Sequence, residues 1–270
     1  MSIIWLRVAA ALYSIGLLHA ILTLVRRREH LFRVALGAFT LGSVFHFVSI
    51  VEEGVAGNHC PITNFYETLS MCAFLVVIIY LGVHLRYKVE SLSVFIFPLV
   101  FVMALVSTFG NPVGGWSSPL LKSAWLTVHI VLVLLGIAAL VLTSGASLLY
   151  LYQERELKAK KPRKFYYRLP ALGTLDELIS KFMGLGFVLF TLGVIAGSTW
   201  AFMSLQADWI RQPAIAISFF TWGVYLAMIC LRVTVGWRGR KAAIMTLTVV
   251  GFSALTWAAH ARLGSILFKP

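Results

Sequence analysis

The chain has 270 residues, of which 60% are hydrophobic and only 12% are charged, against roughly 25% charged residues in ordinary soluble domains. Its mean hydropathy is +0.88. A water-soluble fold of this length could not cover so much apolar surface, because a globular surface must carry many polar groups. These values exclude a soluble enzyme, a disordered chain and a disulfide-stapled secreted module, and they predict a polytopic membrane protein.

The apolar runs are long and continuous, which is typical of spanning helices and not of barrel strands with about ten alternating residues. Eight runs come close to the roughly 20 residues that a spanning helix needs. The predicted fold class is therefore all-α, a bundle of about eight transmembrane helices that forms a single membrane domain over residues 1–270. The predicted spans are 3–25, 34–52, 66–86, 92–109, 123–150, 181–203, 213–232 and 242–267.

The net charge of +13 invites a nucleic-acid interpretation, but the positions of the charges argue against it. Of the 23 Lys and Arg residues, 18 lie in four alternate connections, which is the pattern that orients a membrane protein. The positive-inside rule places these connections in the cytoplasm and both termini outside. We expect the membrane to be the bacterial cytoplasmic (inner) membrane. The longest of them either meets anionic lipid headgroups or is a solvated linker. The four connections are 26–33, 86–90, 153–181 and 232–241.

Classical catalytic patterns are missing from the sequence. The three cysteines are scattered, without a C-x-x-C pair, so they predict neither a disulfide framework nor a zinc site. There is no hydrolytic triad, no phosphate loop and no carboxylate pair at membrane depth. A conventional enzyme is therefore not expected. Gly193 and Gly197 form a small-xxx-small pattern that predicts close helix packing and no functional role.

The histidines are the informative residues. Four of the seven fall towards the predicted outer side: His46, His59, His129 and His260. His46 and His129 lie roughly 9 Å inside the predicted outer boundary. Ionisable side chains at such a depth are costly and tend to mark function. A single neutral imidazole is more often a packed, hydrogen-bonded residue, and His19 is expected to make only an interhelical hydrogen bond.

Aromatic side chains cluster on the same predicted side, including Trp200, Trp209 and Trp222. An interfacial Trp belt is one explanation, and a planar apolar ligand is the other. Haem fits the second explanation, because its iron has two axial positions that imidazole nitrogen suits and its macrocycle needs apolar walls. Its propionates need basic or hydrogen-bonding partners, for which the predicted outer side offers Lys122, Arg211 and Arg262.

Four segments, taken in order, resemble the cytochrome c assembly family of haem-handling membrane proteins, the CcsA, CcmC and HemX group. The resemblance covers roughly residues 40–265. The first segment runs from Gly57 to Leu69 and is similar to the family's G-x-x-x-P-x-x-N-x-Y-E-[ST]-L entry to a span. The other three are "SPLLKSAWLTVHI", "LPALGTLDELISKFMGLGFVLFTLGVIAGSTWA" and "TWGVYLAMICLRVTVGWRGRKAA".

The resemblance implies a haem-binding protein of cytochrome c biogenesis that presents haem b at the outer face. His129 and His260 fall where the family has its external haem-ligand histidines. The depth of His46 makes it the candidate for a substitute ligand. The tryptophans named above would form the wall of the site. The implied partners are haem, the lipid bilayer, a second membrane protein of the cytochrome c synthase and apocytochrome c, with no nucleic acid.

One segment departs from the family pattern. The family's Trp-rich loop usually reads W-x-W-D-P-K-E-x-W, and only Trp209 and Pro213 match it over residues 209–217. This erosion favours a HemX-like branch, so a regulatory protein acting on haem biosynthesis is the alternative function. A small-molecule transporter is a third possibility, although no clear broken helix at mid-membrane supports it.

Overall fold

The computed structural model describes residues 2–26, 29–57, 60–62, 64–110, 124–159, 169–205 and 213–267, with the side chains of the last helix described as far as Thr256. The regular structure in these ranges is helical. The helices are α1 (Ser2–Arg26), α2 (Glu29–Gly57), α3 (Phe65–Tyr87), α4 (Ser93–Ser107), α5 (Ala124–Lys158), α6 (Leu172–Leu205), α7 (Pro213–Thr234) and α8 (Arg240–Leu267), with a 3₁₀ turn at Glu90–Leu92 before α4.

The prediction of an all-α membrane bundle is confirmed. Each of the eight predicted spans corresponds to one helix. Among the described residues, seven helices contain a stretch that is long and apolar enough to cross a membrane. The remaining helix, α8, has 28 residues, which at 1.5 Å per residue is longer than the roughly 30 Å hydrocarbon core. The placement of both termini outside stays a prediction.

Three helices extend well beyond their predicted spans, and the first of them, α2, has 29 residues against a predicted span of 34–52. α5 has 35 residues and α6 has 34, whereas the apolar runs predict spans of 123–150 and 181–203. The extra turns are amphipathic and charged, and one of them carries an i,i+4 ion pair between Lys181 and Glu177 at 2.6 Å. Such pairs stabilise helices without making them apolar, so a criterion based on apolar runs misses these turns at either end of a helix.

The chain forms two compact units. Unit 1 comprises residues 1–117 and 156–170 and contains α1 to α4. In this unit α1 and α2 pack closely, because Gly16 lies against the ring of Phe39 and Gly42 lies against the ring of Tyr13, where a Cβ atom would not fit. Phe39 also stacks on Phe97 of α4, which ties α4 to the pair α1 and α2.

Unit 2 comprises residues 118–155 and 171–270 and contains most of α5 together with α6, α7 and α8. Its core is the buried cluster Leu140, Met183, Phe190, Tyr225, Met228 and Val249. Within it, the hydroxyl of Tyr225 donates a hydrogen bond to the carbonyl oxygen of Met183 at 2.6 Å, which joins α7 to α6. The prediction of a single domain over 1–270 stays a prediction.

The four helices of unit 2 run in alternating directions, so the unit has two distinct ends. The His129 end is the end at which α5 and α7 begin and at which α6 and α8 finish. We call the other end, which holds the α7–α8 connection at residues 235–239, the turn end. At the turn end, Arg232 bonds the carboxylate of Asp176 at 3.2 Å, and the same carboxylate oxygen accepts from the backbone N–H of Gly239 at 3.1 Å.

Candidate functional site

His129 lies five residues after the start of α5, and its imidazole contacts α6. The Nδ1 atom lies 2.7 Å from the carbonyl oxygen of Gly193. A carbonyl oxygen can only accept a hydrogen bond, so Nδ1 carries the proton and donates it. In the neutral ring the lone pair then belongs to Nε2. The structure therefore fixes which nitrogen of His129 could ligate a metal.

A hydrogen-bonded layer joins the remaining helices of unit 2. The indole N–H of Trp222 on α7 donates to the hydroxyl of Thr191 on α6 at 3.0 Å. The neighbouring Thr221 is fully buried, and its hydroxyl lies 2.7 Å from the hydroxyl of Thr256 on α8. The first contact fixes the axial position of α7 relative to α6, and the second fixes that of α8 relative to α7.

The layer relates the positions of the two predicted ligand residues. Gly193, whose carbonyl holds His129, is two residues closer to the His129 end than Thr191, a rise of about 3 Å. His260 follows Thr256 by four residues on α8, a rise of about 6 Å in the same direction. Both histidines therefore belong to the half of unit 2 on the His129 side of this layer. The side chain of His260 lies outside the described residues.

Two of the three predicted wall tryptophans are described, and both lie in unit 2. Trp222 stacks on Phe187 with ring centroids 6.3 Å apart and an interplanar angle of 23°. Trp200 lies on α6, one turn after Gly197 and hence on the helix face that approaches α5. Trp209 lies outside the described residues, together with the basic candidates Lys122 and Arg211. Arg262 falls on α8, and its side chain is not described.

His46 lies in unit 1, on α2, and is fully buried. Its Nδ1 atom lies 3.2 Å from the hydroxyl of Tyr13 on α1, and its Nε2 atom lies 2.8 Å from the hydroxyl of Ser70 on α3. Both ring nitrogens are thus engaged in hydrogen bonds that join three helices. This geometry is typical of a packing residue.

The first turn of α3 contains a cap that the family-like segment 57–69 encodes. Asn64 is the N-cap residue, and its side-chain oxygen accepts from the backbone N–H of Glu67 at 2.9 Å. The Asn64 amide returns a hydrogen bond to the Glu67 carboxylate at 2.8 Å. A small cleft of about 20 Å³ opens here between Ser2, Glu53 and Ser70. That volume holds one water molecule and is far too small for a macrocycle.

Cys60 lies just before this cap, outside the spanning segments. Burial raises the pKa of its thiol, and the nearby Glu67 carboxylate raises it further. A thiol with a raised pKa is a poor nucleophile at neutral pH, because the thiolate is the reactive form. Cys60 therefore has the properties of an unreactive residue.

His19 and His84 make contacts away from the His129 end. His19 bonds within its own helix, from Nδ1 to the carbonyl oxygen of Ile15 at 2.9 Å, instead of across helices as expected from the sequence. His84 packs its ring against Phe32 with centroids 5.4 Å apart. His59 lies outside the described residues. In the part of the chain that the structure describes, no group of three or more His, Cys, Asp or Glu side chains could hold a metal ion.

Comparison with known proteins gives one family. The family described as Cytochrome C assembly protein matches residues 62–259, well over half of the chain. The chain belongs to the cytochrome c assembly protein family. The match begins just before the α3 cap and reaches to within one residue of His260, so it includes the whole of α5, α6 and α7.

Three relatives named cytochrome c biogenesis protein CcsA illustrate the similarity. The one from Heterosigma akashiwo is 26% identical, over 70% of this chain and 69% of its own length. The one from Chlamydomonas reinhardtii is 29% identical, over 72% of this chain and 56% of its own length. The one from Gloeobacter violaceus is 26% identical, over 92% of this chain and 86% of its own length. Family membership gives this integral membrane protein a role in cytochrome c biogenesis.

Proposed function

We propose that the chain binds haem at the His129 end of unit 2, with His129 and His260 as the two axial ligands, and presents it for cytochrome c assembly. The observation that carries this proposal is the hydrogen bond from His129 Nδ1 to the Gly193 carbonyl oxygen. Histidines that ligate metals donate their other ring N–H to a carbonyl or carboxylate, which fixes the tautomer and raises the basicity of the ligating nitrogen. His129 has this arrangement.

The position of His260 along the axis of α8 supports its role as the second ligand. The hydroxyl contact between Thr221 and Thr256 holds α8 in register with α7, and His260 follows one turn later on α8. Two imidazoles that ligate the same haem iron would approach it from opposite faces of the macrocycle. Antiparallel helices whose histidines lie within about one turn of the same level supply that arrangement.

The donor set also fits haem better than a bare metal ion. A structural or catalytic ion takes three or four protein ligands, and the described residues contain no such group. Haem brings four nitrogen donors of its own and asks the protein for two axial ligands and apolar walls. Trp222 and Phe187 stack on each other between α7 and α6, and Trp222 belongs to the hydrogen-bonded layer beside these positions.

In this mechanism the haem supplies the iron and the macrocycle, and the chain supplies ligation, orientation and exclusion of water. His129 presents Nε2 from a ring whose rotation is restrained by the Gly193 carbonyl. The layer of Trp222, Thr191, Thr221 and Thr256 satisfies its own polar groups. The layer therefore closes the proposed haem site on the side that faces the unit-2 core. It exposes no unpaired hydroxyl of its own to the haem.

We further propose that the ligand is haem b, bound without a covalent link, and that the protein lies in the bacterial cytoplasmic membrane with the His129 end on the outer side. A second membrane protein of the cytochrome c synthase and apocytochrome c are the proposed partners. The Lys and Arg asymmetry supports the orientation. The sequence has no C-x-x-C-H pattern for covalent haem attachment, which supports the haem type.

The test is haem binding by the detergent-purified chain. The protein, as isolated or after addition of haem, is expected to show a low-spin spectrum with one haem per chain at the proposed site. Acidified organic solvent should extract that haem intact as haem b. A purified, folded chain that takes up no haem under these conditions would contradict the proposal.

A further inference from the structure

The glycine pair on α6, Gly193 and Gly197, lies directly against the imidazole of His129. This contact is more specific than the packing of two helices requires. A Cβ atom added at Gly197 would lie 2.5 Å from His129 Nδ1, 2.6 Å from Cε1 and 3.2 Å from Cγ. All three nearest atoms belong to the same imidazole. The space that Gly197 leaves open is therefore occupied by the ring of His129.

The spacing of four residues has a physical reason. In an α-helix the carbonyl of residue i points towards residue i+4, and each Cβ tilts towards the N-terminus of the helix. A side chain at position 197 would therefore cover the side of the Gly193 carbonyl. With glycine at 197, that oxygen accepts a second hydrogen bond from another helix, and His129 Nδ1 makes it at 2.7 Å.

We propose that Gly193 and Gly197 are positioning residues that form a seat for the imidazole of His129. In this seat Gly197 admits the ring to the Gly193 carbonyl, and the carbonyl holds the ring as the Nδ1–H tautomer with Nε2 as the ligating atom. This inference rests on the haem-binding function proposed above. It assigns to the glycine pair a role in tuning the ligand, in addition to close packing of α5 and α6.

The main variant is G197A, and the chain offers a matched control on the same helix. A Cβ atom at Gly184 would meet nothing within 4 Å, so G184A makes the same chemical change in open space. Alanine is the better helix former at both positions. G184A is therefore expected to keep or raise the melting temperature and to keep the haem spectrum, whereas G197A displaces the ring and lowers the melting temperature.

The haem readouts report on the seat itself. Loss of an outer hydrogen bond to a ligating histidine lowers metal affinity by about 10- to 100-fold in known sites. G197A is expected to weaken haem binding by a similar factor. Its haem should also have a higher reduction potential, because an imidazole that no longer donates from Nδ1 stabilises ferric iron less. G184A should shift neither quantity.

A double-mutant cycle keeps the proposal testable even if G197A binds no haem. Because the three atoms nearest to a Cβ at position 197 all belong to the His129 ring, removal of that ring should remove the clash. The H129A/G197A variant is therefore expected to melt at or above the temperature of H129A. If G197A lowers the melting temperature equally in the parental protein and in H129A, the proposed seat is wrong.

The two proposals fail in different ways. If H129A leaves haem affinity and spectrum unchanged, the haem-binding function assigned to His129 is wrong. If H129A loses the spectrum but G197A matches G184A in affinity, potential and melting temperature, the ligand stands and the seat is wrong.

Discussion

His46 offers a sharp test of the difference between a packing histidine and a ligand. Its imidazole is fully buried and bridges Tyr13 and Ser70, so H46A removes two interhelical hydrogen bonds and the volume of a ring. Hydrogen bonds between membrane helices average about 0.6 kcal/mol each, and a large-to-small change in a packed core costs about 2 kcal/mol or more. We expect H46A to lower the free energy of unfolding by about 3 kcal/mol.

The partner variants set the scale for that loss. Y13F and S70A each remove one hydrogen bond and keep the ring of His46, so each is expected to cost about 0.6 kcal/mol. The assay is denaturant-induced unfolding of the purified protein in detergent micelles, together with the haem content of the folded fraction. All three variants should keep the parental haem content. Loss of haem from H46A at parental stability would refute this reasoning and make His46 a ligand.

Three further predictions address orientation, transfer and thiol reactivity. Reporter fusions after Arg28 and after Lys161 should report the cytoplasm, and a fusion at Lys269 should report the exterior, because 18 of 23 basic residues lie on one side. An exterior signal at Lys161 would show that the span count is wrong. Supplied without its proposed partners, the chain should bind haem but fail to replace an intact family member in cytochrome c maturation, because its segment 209–217 retains only Trp209 and Pro213 of the Trp-rich pattern. Formation of holocytochrome by this chain alone would show that the lost residues are dispensable. Alkylation of Cys60 should be slow at neutral pH and should accelerate in E67Q, because burial and the Glu67 carboxylate both raise the pKa of the thiol. An unchanged alkylation rate in E67Q would contradict the influence of Glu67 on the thiol.

The number of helices could be predicted from the sequence, because a membrane allows few solutions. Each apolar run of about 20 residues must satisfy its backbone groups internally, so it forms a helix. The ends of α5 and α6 could not be predicted in this way. Their outer turns carry charged residues, such as the i,i+4 pair of Glu177 with Lys181, and hydropathy does not detect a helix that continues through such residues.

The site was predictable in its residue types and not in its contacts. The depth of His129 marks it as unusual, and the spacing of Gly193 and Gly197 marks a close helix approach. The sequence does not show that these features meet, since the hydrogen bond joins residues 64 positions apart. Likewise, the depth of His46 alone does not distinguish a ligand from a residue that bridges Tyr13 and Ser70.

The visible spectrum of the histidine variants tests the central claim most directly. With two imidazoles on the iron, the purified parental protein should be low-spin. H129A and H260A should each leave one axial position open and change the spin state, and the double variant should lose stable haem binding. Replacement of the solvent-exposed His30 should leave the spectrum unchanged. A double variant H129A/H260A that keeps the parental haem content and spectrum would contradict the account.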